Sequence, residues 1–329
     1  MKLVSYKTES REHLGVYVNG HIYNLHSCDK LIPDQMSDFL AGGEELMERA
    51  KKVRDEIADG QREAREEVFF ELLAPVPHPS SCRDGYAFRQ HVASARKNRG
   101  VPMIPEFDPI FYFTNHNAIQ GPGEIECMPD HFQKLDFELE VAVVIGKKGR
   151  NVKAADADDY IAGFMIMNDM SARTLQMEEM LLNLGPAKGK DFSTVIGPWL
   201  VTPDELEPYK VAAKKGHTGN SYNLDMKCWV NGVQVSSGNV ADMDWTFAEI
   251  IERCAYGVDI LPGDVIGSGT VGTGCFLELN GTGLLNDPNF KPQWLQDGDV
   301  VEMEITGLGR LSNTIRKADT EFSILALKK

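Results

Sequence analysis

No two cysteines in this chain stand close enough to form a CxxC pair. The six, Cys28, Cys82, Cys127, Cys228, Cys254 and Cys275, are scattered over 329 residues. That excludes a zinc site built on cysteine and fits reduced, mostly buried thiols in a cytoplasmic protein. Long apolar runs are also missing: stretches such as Val141 to Gly146 fall far short of the roughly 18 residues that a membrane span needs. Met1 to Lys7 holds no apolar signal-peptide core, so export is not expected. Basic residues are in short supply, 34 against 49 acidic ones, for a net charge of -15. Such a surface repels phosphate backbones and anionic lipid, so no nucleic acid and no membrane is expected as a partner. An acid excess also suits a protein that collects carboxylates around a cation. Neither HExxH nor a serine elbow occurs.

Two glycine-rich segments fail on context. Gly267-Ser268-Gly269-Thr270-Val271-Gly272 spells the dinucleotide fingerprint, but Phe276-Leu277-Glu278-Leu279 after it reads as a strand where that motif requires a helix. Gly185-Pro186-Ala187-Lys188-Gly189-Lys190-Asp191 is one residue short of a P-loop and has Asp in place of the magnesium-binding Ser or Thr.

The rest is ordinary globular sequence, 42% hydrophobic and 25% charged, about two domains in length. Leu14 to Val18 and His21 to Leu25 flank Asn19-Gly20, a strong hairpin signal. Residues 37–69 are charge-dense and read as solvated helix. Ala74-Pro75-Val76-Pro77-His78-Pro79 reads as an extended linker, because each proline disfavours helix in its predecessor. It marks off a small N-terminal hairpin-and-helix domain, residues 1–74, from a larger one, residues 75–329. Beyond it, a helix is expected from Asp84 to Asn98, strands over Leu135–Ile145 and Ile161–Met167, and a helix from Ser171 to Leu184, capped by Ser171 and stopped by Gly185. Short strands punctuated by glycine follow from Asp191. This is a β-rich α+β pattern.

Leu135-Asp136-Phe137-Glu138-Leu139-Glu140-Val141 is the most informative stretch. As a strand it places Phe137, Leu139, Val141 and Val143 on one face and Glu138 with Glu140 on the other, where Ala142 and Val144 continue an apolar surface. Two adjacent carboxylates there either end an edge strand in solvent or share a cation. Asp169, at a strand-to-helix junction, either caps the helix or faces a cleft. Arg173 and Gln176 share a helix face, and Asp84 and His91 are spaced by two helical turns. Glu278, between Leu277 and Leu279, must point outward or be paired.

In order, these residues resemble the fumarylacetoacetate hydrolase family. The likeness rests on Asp84 through Arg89-Gln90-His91, Glu138-Leu139-Glu140, and Met167-Asn168-Asp169-Met170-Ser171-Ala172-Arg173 with Gln176. Gly185-Pro186 with Gly189-Lys190, Ser268-Gly269-Thr270, and Leu277-Glu278-Leu279 complete it. It runs from about Pro75 to the C-terminus. It implies a mixed β-sandwich roll, a homodimer, and a bound Mg²⁺, Ca²⁺ or Mn²⁺. Asp84, Glu138, Glu140 and Asp169 match the metal ligands, a hard all-oxygen set. His91 and Glu278 match a water-activating pair. Arg173, Gln176 and Lys190 match groups that hold substrate oxygens and the oxyanion, and Thr270 matches a substrate contact. The implied reaction is hydrolysis of a carbon–carbon bond in a 1,3-diketo acid of the fumarylacetoacetate or acylpyruvate type. Relatives that decarboxylate or isomerise small 2-oxo acids supply the alternative. Retention of both His91 and Glu278 leans towards hydrolysis. The stretch Phe111-Tyr112-Phe113-Thr114-Asn115-His116-Asn117 corresponds to the family segment that carries a substrate-holding tyrosine, and the resemblance assigns that tyrosine to no position here.

Overall fold

The structure is a computed structural model that describes residues 1–9 and 11–327. It opens with β1 (Lys2–Thr8), β2 (Arg11–Val18) and β3 (His21–Asn24). Asn19 and Gly20 both adopt positive φ, 50° and 95°, the turn that matches the twist of the two strands it joins. Helices α1 (Met36–Ala41) and α2 (Gly43–Ala58) follow. Helix stops at Ala58, short of the expected residue 69, because Gly60 turns left-handed at φ 69° immediately after Asp59.

The remaining elements begin with β4 (Cys82–Gly85), α3 (Arg89–Asn98), β5 (Phe111–Thr114) and β6 (Gly123–Cys127). Next come β7 (Leu139–Ile145), β8 (Ile161–Asp169), α4 (Arg173–Leu181) and β9 (Thr194–Val201). Then follow β10 (Asp225–Val230), β11 (Val233–Asn239), α5 (Phe247–Ala255) and β12 (Val265–Gly267). The last are α6 (Phe276–Asn286), β13 (Val300–Ile305) and β14 (Gly309–Lys317).

The main sheet runs β3-β2-β1-β9-β8-β7-β12-β4-β5, with the short strands Glu71–Leu72 and Ile119–Gln120 added beside β1 and β9. Its pairings are antiparallel except for β12 with β4 and for Ile119–Gln120 with β9. A second sheet runs β11-β10-β13-β14-β6. Every residue of β7 is buried, as a central strand covered on both faces must be.

Alternate β7 residues enter different cores. Leu139, Val141, Val143 and Ile145 pack with Met226, Met303, Leu311 and helix α5, between the two sheets. Ala142 and Val144 pack with Leu25, Phe39, Leu40, Ala50 and Val53 from the N-terminal segment. Residues 1–74 thus extend the main sheet, with Leu3 of β1 opposite Leu200 of β9, and help build the core on one of its faces. The β-rich α+β fold expected from the sequence is the fold observed.

Three local expectations are corrected. Asp84 lies on β4 and not on a helix, so its separation from His91 is not two helical turns. Ser171 does not cap α4, whose N-cap is Ala172 and has no side-chain cap bond. Its hydroxyl donates instead to the Asp169 carbonyl at 3.0 Å. Leu277-Glu278-Leu279 is the first turn of α6 and not a strand. A helix does follow the glycines of the dinucleotide-like segment, but its first amides are already taken by a buried carboxylate, Asp136.

Candidate active site and metal cluster

Three strand ends converge at one edge of the main sheet. Asp84 comes from β4, where it sits opposite Gly267 of β12; Glu140 is the second residue of β7; Asp169 is the last of β8. Glu138 precedes β7, and its backbone N–H donates to Asn168 Oδ1 at 3.1 Å, which turns its side chain into the same space. One carboxylate oxygen from each of the four acids lies within 4.8 Å of the others, and all four residues are buried. The backbone N–H of Gly269 donates to Asp84 Oδ1 and Glu140 Oε2, both at 3.1 Å. A Cβ at Gly267 would lie 2.7 Å from Asp84 Oδ1, so glycine is what lets the acids close over the turn.

Two buried cations answer them. Lys190 donates to Glu138 Oε2 and to Asp169 Oδ2, the latter at 2.8 Å. Arg173 donates through Nη2 to Glu138 Oε1 at 2.8 Å and through Nη1 to Gln176 Oε1 at 3.0 Å. Its Nε and Nη2 also grip Asp136, at 2.8 and 2.7 Å. Five buried carboxylates thus share two cations.

The shortfall shows in proton affinity. Burial raises Glu140 well above the carboxylate range, and the charges of Asp84, Glu138 and Asp169 push it further. Burial and Asp169 push Asp84 up to about 7. Burial also raises Asp169, against the pull of Lys190. Burial opposes ionisation of Glu138 too, but Lys190 and Arg173 outweigh it and hold that carboxyl at about 2. Burial disfavours the charged Lys190 ammonium, yet Asp169 and Glu138 keep it protonated.

Glu140 Oε1 and Asp169 Oδ1 are buried and have no hydrogen-bond partner. Orphaned carboxyl oxygens among acids that repel one another when ionised fit a hard divalent cation, which the donor set of Asp84, Glu138, Glu140 and Asp169 would hold through oxygen alone.

Beside the cluster, His91 Nδ1 lies 2.6 Å from Glu278 Oε2, with both side chains buried. His91 is on α3 and Glu278 in the first turn of α6. Asn98 of α3 donates to the Glu278 carbonyl at 3.1 Å and holds the two helices together. Both clusters open on one cavity of about 700 Å³, lined also by Arg173, Gln176, Lys190 and Thr270. Every site residue expected from the sequence lies at this cavity or in the acidic cluster beneath it. Methionines and aromatics, among them Met177, Met180, Phe111 and Trp294, give the cavity an apolar wall.

Two residues escaped the sequence reading. Tyr112 on β5 lines the cavity and donates its hydroxyl to Asp169 Oδ2. Burial holds its phenol well above the usual range, so it remains a donor. Asp136 accepts the backbone N–H of Phe137 at 2.9 Å, of Phe276 at 2.8 Å and of Leu277 at 2.9 Å, besides the Arg173 guanidinium. Its spacing was visible, since Asp136, Glu138 and Glu140 alternate as Asp-x-Glu-x-Glu. Nothing local showed that the expected strand Leu135–Ile145 is interrupted at Phe137 and Glu138, which aims the first acid at α6.

Residues 81–316 match the family model described as fumarylacetoacetate (FAA) hydrolase C-terminal. A human protein named oxaloacetate tautomerase FAHD2A, mitochondrial, is 34% identical over 327 residues, covering 96% of this chain and 91% of that one. A fumarylacetoacetate hydrolase domain-containing protein 2 homolog from Dictyostelium discoideum is 30% identical, covering 96% and 97%. Among solved structures, a fumarylacetoacetate hydrolase from Exiguobacterium antarcticum superposes with a TM-score of 0.71 at 24% identity, covering 97% of this chain and all of that one. Maleylpyruvate hydrolase from Sphingobium sp. SYK-6, solved with manganese(II) and pyruvate, gives 0.68 at 20% identity, with the same coverage.

The chain belongs to the fumarylacetoacetate hydrolase family, a family of enzymes. The human, Xenopus laevis and Rattus norvegicus relatives carry mitochondrial in their names, which overturns the expectation of a cytoplasmic protein. Free, scattered thiols do not distinguish one compartment from another. Among the described residues no helix is long and apolar enough to cross a membrane.

Proposed function

We propose that this protein is a divalent-metal-dependent enzyme of small 2-oxo acids that moves a proton at the carbon beside the carbonyl, as in keto–enol tautomerisation of an oxaloacetate-type acid. The observation that carries the reading is the His91–Glu278 pair, 2.6 Å apart, opening on the same cavity as the four-acid cluster. With Nδ1 engaged by Glu278, Nε2 is the ring nitrogen left to face substrate. The human relative's name supports the substrate class.

Asp84, Glu138, Glu140 and Asp169 would hold the ion, Mg²⁺, Mn²⁺ or Ca²⁺. When bound, it supplies Lewis-acid charge beside the substrate's oxygens. His91 Nε2 removes the proton from carbon, and Glu278 steadies the imidazolium that results. An ammonium has three N–H donors and a guanidinium five. Lys190 uses two on Glu138 and Asp169, and Arg173 uses three on Asp136, Glu138 and Gln176. Each keeps at least one N–H for the enolate oxygen or a substrate carboxylate. Return of the proton from His91 to oxygen completes the enol.

A second reading, hydrolysis of a carbon–carbon bond in a 1,3-diketo acid, is favoured by the cavity, which at about 700 Å³ exceeds what a four-carbon acid needs. In that reaction His91 would take its proton from water. A homodimer belongs to either proposal and is tested by sedimentation.

The deciding experiment is a turnover screen with Mn²⁺ or Mg²⁺ against enol-oxaloacetate, short acylpyruvates and fumarylacetoacetate. Tautomerisation of oxaloacetate faster than its spontaneous rate, abolished by chelation, supports the first reading. Cleavage of a diketo acid without tautomerase activity replaces it with the second.

A further inference from the structure

We propose that Asp136 is a positioning residue that locks the substrate-binding guanidinium of Arg173 to the start of the helix carrying Glu278. Its carboxylate is fully buried. Oδ1 accepts from the amides of Phe137 and Phe276, and Oδ2 from the amide of Leu277 and from Arg173 Nε, with Arg173 Nη2 paired to it at 2.7 Å. Helix α6 has no side-chain cap of its own, since its N-cap residue, Cys275, makes no such bond. Its first free amides are satisfied from a distant part of the chain, by a carboxylate that also complements the helix dipole.

The consequence is geometric. Glu278 stands one residue beyond Leu277, so the hold on the Phe276 and Leu277 amides sets the height and rotation of α6 at the point where Glu278 meets His91. The same carboxylate fixes Arg173, whose Nη2 continues to Glu138 of the acidic cluster. One buried anion therefore holds the proton-transfer pair and the oxyanion-binding group in a single frame. Catalytic geometry has to be kept to within about 0.5 Å to be productive. The inference rests on the proposed roles of Glu278 and Arg173, while the contacts of Asp136 are independent of which substrate is used.

The test is Asp136→Asn, an isosteric change that puts an amide NH₂ or a neutral oxygen where the donors of Leu277 and Arg173 converge. Two readouts are followed on full-length protein. One is the low-field proton resonance of the His91 Nδ1–H bonded to Glu278, which reports that contact without turnover. The other is kcat against KM on the substrate found in the screen, with Mn²⁺ affinity as the control for the acidic cluster.

The expected result is a folded variant that binds Mn²⁺ within about threefold of wild type, shifts or loses the His91 resonance, and lowers kcat by at least about tenfold. A folded D136N that keeps the resonance and a kcat within about twofold of wild type overturns the proposal. Should D136N not fold, Arg173→Lys decides: it keeps the charge but removes the fork on Asp136. The resonance then moves if the frame exists, and an unmoved resonance overturns the proposal. If the resonance moves in the variants but wild type turns over no 2-oxo or diketo acid, the functional reading fails while the positioning role stands.

Discussion

The hydroxyl of Tyr112 donates to Oδ2 of Asp169, so a side chain from β5 shares in stabilising the charge at the end of β8. Burial raises Asp169 from its ordinary value, and this bond, with Lys190, works against that rise. Tyr112→Phe removes a donor to the ionised form and makes Asp169 hold its proton more tightly. A hydrogen bond to a charged group contributes about 1.5–3 kcal/mol, so Mn²⁺ affinity at mildly acidic pH should fall about tenfold or more. The loss should shrink as pH rises and the proton leaves. Titration calorimetry at two pH values checks it, and a uniform loss at both would mean that Tyr112 acts by packing.

Metal-free protein should lose stability as pH rises. Asp84 is raised from its ordinary 3.8 to about 7 in the fold, and Glu140 well above its ordinary 4.5. For an acid with a raised folded value the penalty is absent below the unfolded value and sets in fully as pH climbs through the folded one. From Asp84 alone the chelator-treated Tm should therefore decline across the window from about 4 to about 7. Mn²⁺ should reverse the slope, because the ion binds the deprotonated acids. Glu140→Gln should raise the metal-free Tm at alkaline pH while weakening Mn²⁺ binding at least about tenfold. If E140Q binds Mn²⁺ like wild type, the cluster is not a metal site.

His91→Ala and Glu278→Gln should each lower turnover by a factor on the order of 10² or more, the usual size of a general-base contribution. Neither residue belongs to the acidic cluster, so Mn²⁺ affinity should stay near that of wild type. Steady-state rates beside calorimetry separate the two effects. Unchanged rates in both variants would remove His91 from the mechanism.

Deletion of residues 1–74 should cost solubility before it costs chemistry. The cut strips β1 from β9 and uncovers Ala142, Val144, Met165 and Met167, which pack under the N-terminal helices. An exposed strand edge beside an apolar face aggregates. Expression of residues 75–329 should give mostly insoluble protein. A soluble, metal-binding truncation that lacks turnover would instead assign the N-terminal segment a role in the site.

Much of the site was legible in the sequence because its chemistry is locally patterned. Glu138 and Glu140 lie among apolar residues whose alternation defines two faces, and both cores follow that alternation. Asn19-Gly20 specified its hairpin for an equally local reason. What escaped depended on tertiary context. Phe276 to Leu279 is a short, mainly apolar run ahead of Asn280-Gly281 and reads as a strand until packing on α3 makes residues 276–286 helical. Asp84 followed a helical spacing into α3, but the pairing of β4 with β12 keeps the chain extended through Gly85. The roles of Asp136 and Tyr112 depend on partners more than fifty residues away, Phe276 at a separation of 140 and Asp169 at 57.

The turn over the acids has a bearing on how such a protein diversifies. A side chain at Gly267 would strike Asp84, Met167 and Glu140 at 2.7, 2.8 and 2.9 Å, and one at Gly269 would meet the Gly85 carbonyl at 2.6 Å. The floor of the cavity is therefore closed to gradual change, since any first step there displaces the acids themselves. Its outer wall, where Met177, Met180, Ile110 and Leu284 stand, has no such restriction. New substrates can be acquired by mutation of that wall while the chemistry beneath it is inherited unaltered.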